Sequence, residues 1–308
     1  MRITLPMTAR LIPLCLMCLL LGQPSCRRVR VLGPPKAVPV ATDGHMELRL
    51  MSFNVRYEND GDPGSRAWPQ RVPGIVRMIR DESPDVIGIQ EARHGQAADL
   101  WASLPDYEFI GRARDDGKRS GEYAGIFFRR ERFEADAADQ GTFWLSDTPE
   151  KPGSKTWGNE IPRTATWLRL TDRATQRIFH VFNTHWDHRH QGSRERAAQL
   201  MVQRIISRKR AEEPVVLLGD FNAVENNPAM VSLVSEADLV DTFHALHPGE
   251  RNRRTLHFWS DTRAGALKVD HILVSRGAVV MDAAIRDGDK PMVSDHFPVT
   301  ARVVFRGK

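Results

Sequence analysis

From about Met46 onward, short apolar runs separated by polar breaks predict many strands and a few helices. Glu47–Val55 (ELRLMSFNV) carries a strand pattern, and Asp85–Gln90 (DVIGIQ) is a short apolar strand ending at Glu91. Tyr123–Arg129, Thr164–Leu170 and Ile178–Thr184 are strand-like through their β-branched and aromatic residues. Val215–Leu218 is wholly apolar, and Val269–Val274 and Phe297–Phe305 close the chain as strands. Trp68–Arg80 predicts a helix with Val72, Ile75, Val76 and Ile79 on one face, and Pro73 suggests that it starts late. Arg194–Arg208 predicts a second helix. Asn227-Pro228 gives the cap and first turn of a third, through Glu236. So many strands do not suit a simple doubly wound sheet; an α/β chain of two packed sheets flanked by helices fits better.

The first 45 residues read differently. Arg2 and Arg10 lead into Leu11–Gly22, a run of 12 mostly apolar residues without charge. That suits the core of an export signal and falls short of the roughly 18–20 residues that span a bilayer. Residues 1–26 are therefore expected to be a signal peptide or a short N-terminal anchor, and 27–45, with Pro34, Pro35 and Pro39, a flexible linker. Arg27, Arg28 and Arg30 suit a retained anchor, whereas Leu21–Cys26 loosely resembles a lipoprotein signal that Gln23 and Pro24 fit badly. The expected location is exported: periplasmic, secreted or tethered to a membrane through the N-terminus.

Charge and cysteine content follow the same division. The chain has 44 basic and 39 acidic residues, but removing the six basic and one acidic residues of 1–45 leaves 38 of each. The domain over 46–308 is formally neutral and lacks the footprint of a strong nonspecific DNA binder. All three cysteines precede residue 27, so the domain has no disulfide, thiolate nucleophile or cysteine-ligated metal. It also contains no G-x-S-x-G elbow, P-loop or H-E-x-x-H.

Polar residues of a particular kind stand at the strand ends. Asn54 follows LMSF, Glu91 follows VIGIQ, His185 follows VFNT, and Asp220 and Asn222 follow VVLLG; Asp270 precedes HILV, and Asp295-His296 precedes FPVTARVV. One such residue is usually a turn former. Together they are what hard-metal phosphate chemistry needs: carboxylates for Mg²⁺ or Mn²⁺, amides to orient phosphate or water, imidazoles to move protons or hold phosphoryl charge.

The ordered strings MSFNV, GIQE, NTHWDH, LLGDFN, VDHILV and SDHFPV resemble the endonuclease/exonuclease/phosphatase superfamily, over about residues 46–306. The resemblance implies a deoxyribonuclease-I-like, four-layer sandwich of two mixed sheets flanked by helices. It also implies Mg²⁺- or Mn²⁺-dependent hydrolysis of phosphoester bonds, phosphodiesters foremost, without a covalent intermediate. By the resemblance, Glu91 is the principal metal carboxylate, Asn54 the amide that positions it, and Asp295 a secondary acid beside the metal. Asp220 orients or deprotonates the attacking water, Asn222 holds the phosphate, Asp270 pairs with the catalytic His296, and His185 is a second phosphate-contacting histidine.

Around these, Arg163 and Tyr123 lie in segments that look like subfamily signatures near the phosphate. Glu122 stays undecided, and Asp187 and His188 are either phosphate-side groups or a polar loop tip. His190 is expected to be solvated. Asn59, Asp60 and Asp62 lack the distal Glu of a calcium loop. Trp68, Trp101, Trp144, Trp157 and Trp259 are open to a base-stacking role, and Trp167 to a core one. Arg208-Lys209-Arg210 and Arg251, Arg253 and Arg254 are compact basic clusters that do not force a polynucleotide. Three readings follow: an exported phosphodiesterase or phosphatase for a small or lipid-linked phosphoester, an exported nuclease on DNA or RNA, and a binding protein that has lost catalysis. No protein partner is inferred.

Overall fold

The computed structural model describes residues 44–288 and 290–306. The expected signal or anchor at 1–26 and nearly all of the expected linker lie outside the described residues. The first half of the domain runs β1 (Met46–Asn54), α1 (Trp68–Glu82), β2 (Val86–Arg93), α2 (His94–Ser103), β3 (Tyr107–Ile110), β4 (Glu122–Arg129), β5 (Phe133–Trp144) and β6 (Thr164–Asp172). The second half runs β7 (Ile178–His185), α3 (Gln191–Ile206), β8 (Val215–Asp220), α4 (Pro228–Glu236), β9 (Leu239–Asp241), α5 (Thr242–Leu246), β10 (Asp270–Ser275), β11 (Ala278–Ile285) and β12 (Val299–Phe305). They form two six-stranded mixed sheets, ordered β11-β12-β1-β2-β4-β3 and β5-β6-β7-β8-β10-β9.

Side-chain parity builds the layers, because successive residues of a strand face opposite sides. In β1, Met46, Leu48 and Leu50 enter the core between the sheets, while Met51 and Phe53 pack outward with Ile75 and Ile79 of α1. In β8, Val216 and Leu218 face inward, and Val215 and Leu217 pack outward with Ala198, Met201 and Ile205 of α3. This is the four-layer sandwich that the sequence implies.

Followed along the strands, the inward face turns from apolar to polar at one end. The inward parity continues Leu50 into Ser52 and Asn54, Val181 into Asn183 and His185, and Leu218 into Asp220; in β4 it runs from Ile126 back to Glu122, and in β10 from Ile272 back to Asp270. A buried amide pair seals the boundary. Gln90 Nε2 donates to Asn183 Oδ1 at 2.7 Å, and Asn183 Nδ2 donates to the carbonyls of Ile89 and Gly125 at 2.9 and 2.7 Å. Gly88 lets the sheets approach here, since a Cβ on it would lie 2.6 Å from Asn183 Oδ1.

Two helix expectations are corrected. α1 starts at Trp68 rather than late: Pro69 lies in its first turn, where a missing N–H costs nothing, and Pro73 follows one turn on. α3 starts at Gln191, because His190 is not merely solvated; its Nδ1 accepts the Ser193 amide at 3.0 Å and caps the helix. The eight interior strands match the eight sequence expectations, and all four edge strands (β3, β5, β9 and β11) escape them.

Candidate active site

The polar end of the inter-sheet space gathers residues from both sheets. Asn54, at the end of β1, is fully buried, and its Nδ2 donates to Glu91 Oε1 at 3.0 Å and to Asp220 Oδ2 at 2.9 Å. Its Oδ1 accepts the Arg56 amide at 3.0 Å. Glu91 reaches the cluster because β2 is irregular between Ile89 and Ala92, with Glu91 itself in the left-handed region at φ 66°. Such a bulge re-aims one side chain without ending the strand. The Tyr57 amide donates to Glu91 Oε2 at 3.2 Å. Asn222 (φ 46°) closes the loop after β8: its amide donates to Asp220 Oδ1 at 2.9 Å and its Nδ2 to Trp186 O at 3.0 Å.

Asp270 and His296 sit across from Asp220. His296 Nδ1 donates to Asp270 Oδ2 at 2.8 Å, while its Nε2 lies 3.9 Å from Asp220 Oδ2 and 3.4 Å from the Asn54 amide nitrogen. The two hydrogens of that amide already serve carboxylates, so the outward N–H of His296 is left free. Burial alone would lower the imidazole, but the charge and hydrogen bond of Asp270, with Asp220 and Asp295, hold it well above its usual range. The Asp220 carboxyl moves up to about 7, driven by burial and then by the charge of Asp270. Asp270 Oδ1 is buried without a partner. Asp295 is also raised, by burial and by Glu91, although Arg56 Nη1 stands 3.5 Å from its Oδ2.

A second group borders the first. His185 Nε2 is 3.6 Å from Asp220 Oδ2 and its Nδ1 is 3.9 Å from Glu122 Oε2. Burial and then the Arg163 and Arg114 charges push it well below the ordinary imidazole value, so it is neutral. Glu122, held by both Arg114 terminal nitrogens at 2.5 and 2.8 Å, is still pushed up to about 7 by burial and the charge of Glu91. Arg163 is buried; its Nη2 donates to His188 Nδ1 at 3.1 Å, and its Nε and Nη1 have no partner.

Asn54, Glu91, His185, Asp220, Asn222, Asp270, Asp295 and His296 are thus brought together, with Arg163 beside them. Tyr123 is not: its hydroxyl donates to Lys118 O at 2.8 Å and meets His94 Nδ1 at 3.1 Å, and its neighbour Glu122 takes the inward place. Asp187 is buried near Arg163, but its Oδ1 shapes a turn by accepting the Arg189 and His190 amides. Asp62 bonds Arg56 and Asn59, which makes 59–62 a tie for Arg56. Trp68, Trp144 and Trp157 are buried in the frame.

Sequence reasoning missed Arg71, Arg56 and Arg114. Arg71 is buried on α1, and its guanidinium donates to the carbonyls of Val55, Arg56, Arg66 and Val293 at 2.6–2.9 Å. It shares a helical face with Trp68, Ile75 and Ile79, a position where a charge in the sequence signals a buried role.

The donor set fits a hard divalent cation. Glu91, His185 and Asp220 each offer one ligand atom, all within 4.8 Å of one another.

A sequence profile of the "Endonuclease/Exonuclease/phosphatase family" matches residues 51–296. An endonuclease/exonuclease/phosphatase structure from Bacteroides vulgatus superposes with a TM-score of 0.76 at 32% identity, covering 84% of this chain and 98% of that one. A mannosyl-6-phosphatase of Bacteroides thetaiotaomicron superposes with a TM-score of 0.74 at 31% identity, covering 84% of this chain and 100% of that one. Among curated proteins, an uncharacterized protein of Acanthamoeba polyphaga mimivirus is 25% identical over 162 residues, 50% of this chain and 59% of that protein. The chain spans between 17% and 59% of the length of the curated relatives it matches. By profile, fold and near-complete overlap with these structures, the chain belongs to the endonuclease/exonuclease/phosphatase family.

Proposed function

We propose that this chain is a divalent-cation-dependent phosphoester hydrolase that uses water directly, and that its substrate is a small phosphomonoester, a sugar phosphate foremost. One juxtaposition carries the reading: the buried carboxylates Glu91 and Asp220 face His296, held cationic by Asp270, and the buried Arg163, whose Nε and Nη1 have no partner. That arrangement suits a cation on one side of a phosphoryl group and fixed donors on the other. Glu91 would hold Mg²⁺ or Mn²⁺, with Asn54 fixing it and His185 and Asp295 nearby, which leaves Asp220 for the water. When bound, the cation would supply Lewis-acid polarisation of a phosphoryl oxygen.

The chain's own groups do the rest. Ionised Asp220 accepts the proton of the attacking water at Oδ2. His296 Nε2–H, the free N–H of Asn222 and the unpartnered nitrogens of Arg163 hold phosphoryl oxygens as charge shifts to the leaving oxygen. Asp270 fixes the His296 ring through Nδ1 and keeps it cationic.

Three observations favour a small monoester over a polynucleotide. The domain is formally neutral. Arg208 is tied to the carbonyls of Ala211 and Glu213, and Arg253 pairs with Glu225 at 2.7 Å, so each basic cluster has one of its three cations engaged within the fold. The mannosyl-6-phosphatase shares 31% identity over its whole length. The test is turnover of mannose 6-phosphate, p-nitrophenyl phosphate, bis-p-nitrophenyl phosphate and plasmid DNA, with EDTA and then with Mg²⁺ or Mn²⁺ restored. Monoester hydrolysis that EDTA abolishes is expected; nicking of plasmid with monoesters untouched would make the protein a nuclease. We also infer export from the apolar run at Leu11–Gly22. Among the described residues no helix is long and apolar enough to cross a membrane. Recovery of the full chain only in the cytosolic fraction of its host would contradict export.

A further inference from the structure

A hollow of about 450 Å³, separate from the catalytic cluster, lies within the range of roughly 300–1,000 Å³ that accepts a small molecule. Ser65, Arg66, Trp259, Ser260, Asp261 and Lys290 line it. We propose that this hollow is the subsite for the hydroxylated, sugar-like part of the phosphoester, with Trp259, Arg66 and Asp261 setting specificity. This rests on the hydrolase reading and adds to it where the organic group lies.

The hollow and the carboxylates share one frame. Asp295 O accepts the amides of His257 and Phe258 at 2.9 and 3.2 Å, so the 257–261 wall hangs from the residue next to His296. The opposite wall is held by Arg71, whose Nε donates to Arg66 O at 2.7 Å while its Nη1 takes Val55 O and Val293 O, beside Asn54 and Ser294. Both walls of the hollow are therefore tied by hydrogen bonds to the segments that carry Asn54, Asp295 and His296.

The wall is also strained. Phe258 and Trp259 are consecutive and both left-handed, at φ 52° and 65°. Such backbone is unfavourable for a bulky residue and persists where the surroundings enforce it. What it achieves here is not core packing: Phe258 is 67% exposed. Trp259 is fixed by the Arg66 and Arg71 guanidiniums at 5.1 and 5.8 Å from its ring centre.

The lining selects the ligand class. Two serine hydroxyls, a guanidinium and the exposed Asp261–Lys290 pair at 3.0 Å supply donors and acceptors, and Trp259, Pro291 and Met292 supply apolar surface. Hydroxyl groups on a compact ring use all of these.

Two readouts test the subsite, on the full chain. The first is the kcat/KM ratio of mannose 6-phosphate to p-nitrophenyl phosphate, in wild type, Arg66→Met, Asp261→Asn and Trp259→Ala. The ratio is expected to fall about tenfold or more, mainly through KM for the sugar phosphate. An unchanged ratio would overturn the proposal, even if both activities drop together as they would in a damaged fold. The second readout needs no turnover: saturation-transfer NMR of free mannose with the EDTA-treated protein. A signal in wild type that Asp261→Asn weakens supports the subsite even if no phosphoester is hydrolysed; no signal, or one equal in the variants, overturns it.

Discussion

β10 carries two adjacent residues, each half of a buried aspartate–histidine pair, with opposite consequences. Asp270 faces the space between the sheets and bonds His296 at 2.8 Å; His271 faces the outer layer, with its Nδ1 2.6 Å from Asp241 Oδ2. The third partner separates them. Lys268 Nζ lies 2.8 Å from Asp241 Oδ2 and 2.7 Å from His271 Nδ1, and His271 Nε2 donates to Ala223 O at 2.9 Å, so charge and hydrogen bonds are complete. Beside His296 the third partner is another carboxylate, Asp220, 3.9 Å from its Nε2, and Asp270 Oδ1 has no partner. A complete pair holds the loop after β8 in place. An incomplete one leaves an opening for cation and phosphate.

If that contrast is right, the two aspartates fail in different assays. The largest effect is expected for Asp270→Asn: loss of the carboxylate that orients and charges His296 should lower kcat by on the order of 10²–10⁴ with the melting temperature little changed. Steady-state kinetics beside a thermal melt would show it, and near-wild-type turnover would remove Asp270 from the mechanism. Asp241→Ala should do the reverse, stranding Lys268 and His271 in the interior at a cost of about 3–5 kcal/mol in a denaturant titration. Turnover per folded molecule should change far less than for Asp270→Asn.

pH sharpens the same contrast. Burial raises the Asp241 carboxyl, but Lys268 and His271 outweigh it and hold the group far below the usual range. Its stabilisation is thus present above the unfolded carboxyl value and fades as pH falls; Asp241→Asn should flatten the loss of stability below about pH 4. Asp220 and Glu122, both raised to about 7, bind protons that a cation must displace. The rise in melting temperature caused by Mg²⁺ should therefore be larger at pH 8 than at pH 6, and an equal rise at both would argue against this cluster as the cation site. The smallest effect is expected for Lys268→Met, about 1–3 kcal/mol, since Asp241 keeps His271 and the two amides of α5.

What the sequence revealed follows the same physics. β1, β2, β4, β6, β7, β8, β10 and β12 are flanked by strands on both sides, and their apolar runs stand out. β5 reads FEADAADQGTFW and slips register between Ala135 and Gln140; with one side open, it has no reason to look like a strand. The site was legible because the polar residues interrupt inward-facing runs at one end: Asn54 after Leu50, Asp220 after Leu218. Tyr123 against Glu122 is a question of parity that motif reading alone did not answer. Arg71 and Arg114 act through contacts distant in sequence, with carbonyls of Val293 and Arg66 in one case and Glu122 in the other. No local pattern encodes those partners.

The most direct test is release of inorganic phosphate from mannose 6-phosphate by the purified full chain with Mg²⁺, wild type beside Asp220→Ala. Steady release by wild type and its loss in a variant with an unchanged melting curve is the predicted result. Equal release by both, or release that persists in EDTA, would contradict a cation-assisted attack organised by Asp220.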